Sequence, residues 1–463
     1  MVQLTPTPGY SLAVRVQIPN QIGMLAKLMQ AISAAGGDLG EISLIQQTPH
    51  LVVRDITIDA SSTEHDEQIV NAIKEVPEVQ LLSVYDRTFN LHKGGKITVE
   101  NRIPLKAQDD LAMAYTPGVG RVSSAIAEDL ELAYKYTIKS NIVAIVSDGT
   151  AVLGLGDLGP EAAMPVMEGK AMLFKTFAGV DAFPICLATK DTDAIVQTVK
   201  YLTPVFGGIN LEDISAPRCF EIEERLRKEI DIPVFHDDQH GTAIVTLAAL
   251  INALKIVKKS ISDVRIVFNG AGASGIAVAR LLRTAGAKNI WMCDSKSILS
   301  TSRTDLTPQK KEFAVEQSGT LADAMKDADV FVGLSVAGAV KPEMVRSMAK
   351  DPIVFAMANP VPEIQPELIV DDVAIMATGR SDYPNQINNV LAFPGVFRGA
   401  LDCRARSITT KMCLEASYAI ASLVNAADLD KEHIIPSVFD ERVSSVVSAA
   451  VQKAAREDGV ARA

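Results

Sequence analysis

The sequence predicts an α/β protein in which a doubly wound, parallel-sheet domain is inserted into a second α/β domain, with a small α+β domain ahead of both. Three observations carry this. Residues 264–294, VRIVFNGAGASGIAVARLLRTAGAKNIWMCD, run strand, glycine-rich turn, helix, strand. Residues 207–242, GGINLEDISAPRCFEIEERLRKEIDIPVFHDDQHGT, run strand, charged amphipathic helix, strand, with carboxylates just past each strand. Residues 11–87 follow the order strand, helix, two strands, helix, strand.

At 463 residues the chain has room for about three domains with large buried cores. A net charge of -11 without blocks of like charge excludes a nucleic-acid footprint or a charged interaction tail, and leaves small metabolites as the default ligands. Cys186, Cys219, Cys293, Cys403 and Cys413 lack CxxC spacing and read as buried thiols in a reducing, cytoplasmic compartment. MVQLTPTPGY shows no basic-then-apolar signal peptide. The uncharged run 241–254, interrupted by Thr and Asn, is too short for a membrane span and reads as a core helix.

The first domain is expected over 1–90. Leu12, Val14, Val16 and Ile18 alternate as a half-buried strand. Ile22, Leu25, Leu28, Met29 and Ile32 then share a helix face, ended by Gly36 and Gly37. Residues 39–47 and 51–59 are paired strands, 64–74 a second helix, and 80–88 a last strand. This is the ferredoxin-like split arrangement. The turn PNQIGMLAKL resembles that of the ACT family of small-molecule-sensing modules. The resemblance implies paired modules holding an amino acid or similar effector between them; a dimerisation domain without ligand is the alternative. LHKGGK at 91–96 is a polar, glycine-containing link.

A catalytic domain is expected over 91–240. Tyr115 precedes Thr116, Pro117 and Gly118, so it stands at a helix break where its phenol can face a cleft; a half-buried, satisfied tyrosine is the bland reading. After the strand 141–147, Gly154, Gly156 and Gly159 have GxGxxG spacing and Asp181 falls near the place of a ribose-binding acid. Asp157 would set negative charge against a pyrophosphate, however, and no strongly amphipathic helix directly follows Pro160, so a tight turn explains these glycines better. Lys170 lies in an otherwise apolar helical stretch. Next to a carboxylate cluster its ammonium can be buried, and a buried or cation-adjacent lysine loses its proton more easily, which makes it a candidate base; a snorkelling surface lysine is the alternative. Glu212, Asp213 and Asp238 end or follow parallel strands and therefore meet in one crevice. Carboxylates so crowded repel unless a proton or hard cation intervenes, and oxygen ligands suit Mg²⁺ or Mn²⁺. Helix capping by Asp237 or Asp238, with a solvated acidic loop, is the alternative.

The nucleotide-binding domain is expected over 241–405. Gly270, Gly272 and Gly275 follow a strand and open a helix carrying Ile276, Ala279 and Leu282 on one side. Asp294 ends the next strand nineteen residues later. These glycines permit the tight turn, backbone approach to a pyrophosphate, and helix packing of a Rossmann-type site. Further strands at 328–334, 352–357 and 373–377 deliver Ser335, Asn359 and Gly379 to the same crevice. Asn388 and Asn389 sit where polar turns to apolar, so one faces a ligand or caps the next segment. Two Ala-rich helices in 406–463 pack back on an earlier domain.

Six motifs in order, AYTPGV around Tyr115, LGLGDLG from Leu153, GKAMLFK from Gly169, GGINLEDI from Gly207, FHDDQHGTA from Phe235 and NNVLAFPGVFRGAL from Asn388, resemble those of malic enzymes of the shorter bacterial branch. The resemblance runs from about Lys96 to near Arg456. It implies oxidative decarboxylation of (S)-malate to pyruvate and CO₂ with NAD or NADP and Mg²⁺ or Mn²⁺, and a homodimer or higher homo-oligomer. It assigns Glu212, Asp213 and Asp238 to the metal, Lys170 to general base and Tyr115 to general acid. It gives the loop Ala271, Gly272, Ala273 and Ser274 to the dinucleotide, and Asn359 and Asn389 to cofactor or malate. Larger members carry a substrate-binding arginine just before LGLGDLG, where this chain has Ala151 and Val152, so another group must meet that carboxylate. Asp294 favours the ribose 2′-hydroxyl of NAD, whereas Lys296 suits the 2′-phosphate of NADP. A metal-independent hydroxy-acid dehydrogenase and a catalytically silent metabolite or redox sensor are the rival readings.

Overall fold

Period-2 burial builds the first sheet: Val14, Val16 and Ile18 of β1 (Thr7–Pro19) are buried while Arg15 and Gln17 between them are not. The computed structural model describes residues 6–463 as two compact units, one ending at Thr98 and the other spanning Val99–Ala463. In the first, β1 pairs antiparallel with β3 (Leu51–Ala60) and β4 (Gln80–Asp86), and β2 (Asp38–Gln47) pairs with β3, in the order β2-β3-β1-β4. The helices Met24–Ala34 and Thr63–Glu75 press Leu28, Ile32, Ile69 and Ile73 onto Val14, Val16, Ile56 and Ile58. This is the ferredoxin-like arrangement expected.

Two local expectations fail. Ile22 is exposed, because the helix starts only at Met24, after Gly23 in the left-handed region (φ 92°), and Met24 takes the buried place. The last strand stops at Asp86, whose Oδ1 accepts the Phe89 N–H at 2.9 Å and starts a short helix, Arg87–His92. That helix takes up the first residues of the expected link.

The second unit holds two parallel sheets. β5 (Ile142–Ser147), β6 (Asp181–Cys186), β7 (Gly208–Leu211) and β8 (Val234–His236) lie in the order β6-β5-β7-β8. β9 (Arg265–Asn269), β10 (Asn289–Cys293), β11 (Val330–Gly333), β12 (Ile353–Ala356) and β13 (Ile375–Thr378) lie in the order β10-β9-β11-β12-β13. Order reverses at β9, so a crevice opens beyond the carboxyl ends of β9 and β11. Both sheets have near-continuous apolar strands because helices cover both faces.

The helix Asp237–Val257 starts where β8 ends. Its length and hydropathy alone suit a membrane span, yet 67% of its apolar window is buried inside the protein, so it is the core helix expected. Its Asn252 donates to the carbonyls of Ala421 and Ile434, both at 2.9 Å. Behind the first parallel sheet, Phe174 meets Phe393 and Phe397 edge-on at 4.7 and 5.3 Å, and Phe397 meets Phe235 at 5.8 Å. A Cβ on Gly395 or Gly399 would come within 2.7 Å of the helix Arg442–Glu457, so these glycines let that helix lie against Phe393–Asp402.

Candidate active site

Because β7 and β8 are parallel neighbours, Glu212 and Asp213 beyond one strand stand beside Asp237 and Asp238 beyond the other. Asp213 adopts φ 54°, a strained conformation for a non-glycine residue. The turn is held from both sides: the Asp213 N–H donates to Asp238 Oδ2 at 2.9 Å, and its carbonyl accepts from the Ala151 N–H at 3.0 Å. Asn210 Nδ2 donates to Glu212 Oε2 at 2.8 Å. One carboxylate oxygen each of Glu212, Asp213 and Asp238 lie within 4.8 Å of one another. The capping alternative fails, since His236 is the N-cap without a side-chain bond, while Asp237 and Asp238 stand in the first turn bonded to Lys170 and to the Asp213 N–H.

Lys170 comes from the helix Pro160–Ala178. Its Nζ lies 2.5 Å from Asp237 Oδ2 and 2.9 Å from Glu212 Oε1, with the Phe393 ring 4.2 Å away. Asn389 Nδ2 also donates to Asp237 Oδ2 at 2.5 Å, while Asn388 accepts the Val390 N–H and caps the next segment. Gly241 is needed here, because a Cβ would lie 1.9 Å from Asp237 Oδ1. Asp237 is the residue that sequence reasoning missed; its signal was the Asp-Asp pair at a strand end, where consecutive side chains at a helix start point to different neighbours.

Burial raises the Glu212 carboxyl pKa well above its ordinary value, against the pull of Lys170 and with Asp238, Asp237 and Asp213 adding to the rise. Burial, then repulsion by Asp238, raises Asp213 to about 7, and burial raises Asp237 to about 6. Asp238 goes the other way: burial opposes it, but the His236 side chain holds it low. For Lys170, burial works against the ammonium, but Asp237 and Glu212 outweigh it and its pKa is raised. This reverses the expectation of an easily lost proton, because two carboxylates, not cations, flank the amine.

The donor set fits a hard divalent cation. Asp213 Oδ2 and Asp237 Oδ1 are buried without a hydrogen-bond partner among the described residues. The crowded carboxylates are acceptor-only when ionised.

A pH test follows. Asp213 and Asp237 have folded pKa values above their ordinary 3.8, so the folded, metal-free protein keeps protons that the unfolded chain releases. Their contribution to stability is complete below 3.8 and lost as pH rises through about 6 to 7. The Tm measured in chelator is expected to fall over that interval, and saturating Mn²⁺ to reduce the fall. A Tm in chelator that is flat or rises there refutes this electrostatic account.

Beneath the cluster, His236 Nε2 lies 3.4 Å from Asp238 and its Nδ1 is 2.6 Å from Gln239 Nε2. Gln239 continues to Glu223 Oε2 at 3.2 Å, and His240 shares a 2.7 Å hydrogen bond with Glu223 Oε1. Tyr115 is not part of this constellation. It caps the helix Gln108–Ala114, is 67% exposed, and its phenol has no hydrogen-bond partner among the described residues.

The second parallel sheet supplies a groove of about 670 Å³, lined by Gly270, Ala271, Gly272, Asp294, Lys296 and Ser335 among others. Gly270 (φ 120°) lets the turn pass Leu334, whose carbonyl would lie 2.3 Å from a Cβ, and Gly275 packs the helix start of Ala273 and Ser274 against the Gly270 carbonyl. Asn269 Nδ2 donates to Ser335 Oγ at 2.6 Å. Glu363, fully buried and unnoticed in the sequence, accepts the N–H of Ser335 at 2.8 Å and of Ala358 at 3.0 Å, tying together the loops that carry Ser335 and Asn359. The Gly154 turn approaches the Asn359 carbonyl.

Asp294 is held by Arg303 (2.8 and 2.9 Å) and Lys310 (2.9 Å), which keep its carboxyl well below the usual range despite burial, while Lys296 Nζ pairs with Asp305 at 2.6 Å. The rival glycine motif at 154–159 is followed at Pro160 by a helix that is only weakly amphipathic, in keeping with the expectation. Asp181 starts β6 instead of ending a strand and pairs with Lys175 and Asn141, which removes it from any ribose site there.

Comparison with known proteins gives three profile matches: "ACT domain" over residues 7–83, "Malic enzyme, N-terminal domain" over 94–227, and "Malic enzyme, NAD binding domain" over 239–456. The chain is 56% identical over 457 residues to the NAD-dependent malic enzyme of Geobacillus stearothermophilus, covering 98% of this chain and 96% of that one. It is 56% identical over 390 residues to the bifunctional malic/malolactic enzyme of Bacillus subtilis, covering 82% and 95%. The crystal structure of malic enzyme from Pyrococcus horikoshii superposes with a TM-score of 0.77 at 48% identity, covering 80% and 88%.

Proposed function

The chain belongs to the malic enzyme family, and from that premise we propose how its residues carry out the oxidative decarboxylation of (S)-malate to pyruvate and CO₂ with NAD or NADP. The observation that carries the proposal is the Lys170 ammonium buried between Asp237 and Glu212 at the edge of a three-carboxylate group. Glu212, Asp213 and Asp238 hold Mg²⁺ or Mn²⁺. When bound, the nicotinamide accepts hydride from C2 and the cation stabilises charge developing on oxygen.

Lys170 is the general base toward the C2 hydroxyl. It must first give up its own proton: offsetting the charge of Glu212 lowers its pKa, and Asp237 is the acceptor in reach. Asn389 and Asn359 orient substrate and cofactor. Tyr115, which stands outside this constellation, would have to reach C3 to return a proton after CO₂ departs. The helices Gln108–Ala114 and Gly118–Glu128 bury no residue and expose Leu111, Met113 and Tyr115, which supports a homodimer or higher homo-oligomer in which a second copy covers this face. The five unpaired cysteines support a reducing, cytoplasmic setting.

At the ribose end of the groove, Arg303 and Lys310 offset Asp294, so both nucleotides are assayed. The test is reduced-cofactor formation from malate with Mn²⁺, run separately with NAD and NADP, with pyruvate measured in the same tube. Pyruvate in step with reduced cofactor, both stopped by chelator, is expected. Oxaloacetate without pyruvate would favour a plain dehydrogenase.

The ACT-like domain binds a small-molecule effector. Exposed Ile42, Leu44, Leu82 and Val84 on its sheet support pairing with another such module. A chain beginning at Val99 is expected to keep turnover and lose effector response. Loss of turnover in a truncated protein that still folds would refute this modularity.

A further inference from the structure

A second cavity, about 370 Å³, lies between the helices Asp237–Val257, Ala273–Thr284 and Thr410–Ser422, and no step of the reaction uses it. Phe235, Leu281 and Cys413 give it an apolar floor. Arg227, Arg280 and Arg283 line its wall with His240. Thr410 lines one end, at the first turn of a 13-residue helix, where backbone N–H groups lack intrahelical acceptors.

Of the three, Arg227 and Arg283 are only partly satisfied by protein. Arg280 is spent in a fork on Glu312, through Nε at 2.9 Å and through Nη2, but Arg283 reaches Glu312 only at 3.5 Å. Arg227 donates to the Ile408 carbonyl at 2.5 Å and lies 3.8 Å from Glu223, which already serves His240 and Gln239. Arg227 and Arg283 therefore keep donors free around a volume with an apolar base.

We propose that this cavity binds a small metabolite carrying a dianionic oxyanion group, phosphate ester or paired carboxylates, on a short carbon body. Arginine forks match both groups. The bound anion is linked to the catalytic side through Arg227, Glu223, Gln239 and His236 to Asp238. An effect on turnover rests on the proposed role of Asp238; the binding itself does not.

The test is calorimetric titration of the full chain, without metal or nucleotide, with phosphoglycolate and with glutarate, each against chloride at equal ionic strength. Saturable binding of at least one is expected. Phosphoglycolate alone would identify a phosphate ester, glutarate alone a dicarboxylate. Arg283→Gln, whose lost contacts are long ones, is expected to weaken binding about ten-fold or more. Arg227→Gln gives the same test independently, and Arg346→Gln, paired with Asp372 elsewhere, should bind as the unaltered chain does. Binding no tighter than chloride, or unchanged in both Arg283→Gln and Arg227→Gln, overturns the site. Intact binding in a protein that never turns over malate would instead refute the proposed reaction and leave this site standing.

Discussion

Asp237→Asn is expected to lower kcat for malate at least about 10²-fold, the scale for removing a main catalytic electrostatic group, while KM changes far less. The substitution keeps the shape of a side chain that meets both Lys170 and Asn389 at 2.5 Å, and removes its charge. Asp237 is the largest influence holding the Lys170 proton against burial, so the Lys170 pKa falls in the variant. The acid limb of the pH–rate profile should therefore move to lower pH, a shift that mere loosening of the fold would not produce. A folded variant with unchanged kcat and an unmoved acid limb would show that Asp237 neither tunes nor relays for Lys170.

Glu212→Gln is expected to cost turnover at least about 10²-fold as well, for a different reason. Glu212 is both a carboxylate of the three-membered cluster and the second anion on Lys170. Its loss removes a ligand, so the Mn²⁺-dependent gain in stability should go with it. For the unaltered chain that gain is about 2.7 kcal/mol at a hundred-fold excess over Kd. In chelator the variant relieves repulsion on Asp213 and Asp238 but leaves Lys170 one partner short; the diagnostic readout is the lost response to metal. Full turnover of the unaltered chain in chelator, or of Glu212→Gln in Mn²⁺, would favour a metal-independent dehydrogenase.

Much of this site is legible in the chain itself. GAGASG between an apolar strand and a helix demanded a turn that only glycine permits, and the cavity lined by Gly270, Ala271 and Gly272 lies there. LED and HDD each follow a short apolar strand, and parallel pairing of β7 with β8 then brings Glu212, Asp213 and Asp238 together without further information. What was not legible depended on direction or on distant partners. Asp237 and Asp238 are adjacent, yet one turns to Lys170 and the other to the Asp213 N–H. Glu363 matters because two loops present N–H groups to it, and nothing in its neighbours announces that. Ile22 fitted the helical period but lies two residues ahead of Met24, where the helix begins after Gly23.

The sequence by itself determined which elements form, which strand ends carry chemistry, and which residue types stand there, since periodicity, turn chemistry and parallel pairing are local or nearly local rules. Only the tertiary structure decided the charge state of Lys170. A pKa depends on the sum of burial and of every charge within a few ångströms, and those charges come from residues 42 and 67 positions away in the chain. It likewise decided that Arg227, Arg280 and Arg283, unremarkable on three separate helical faces, line one cavity.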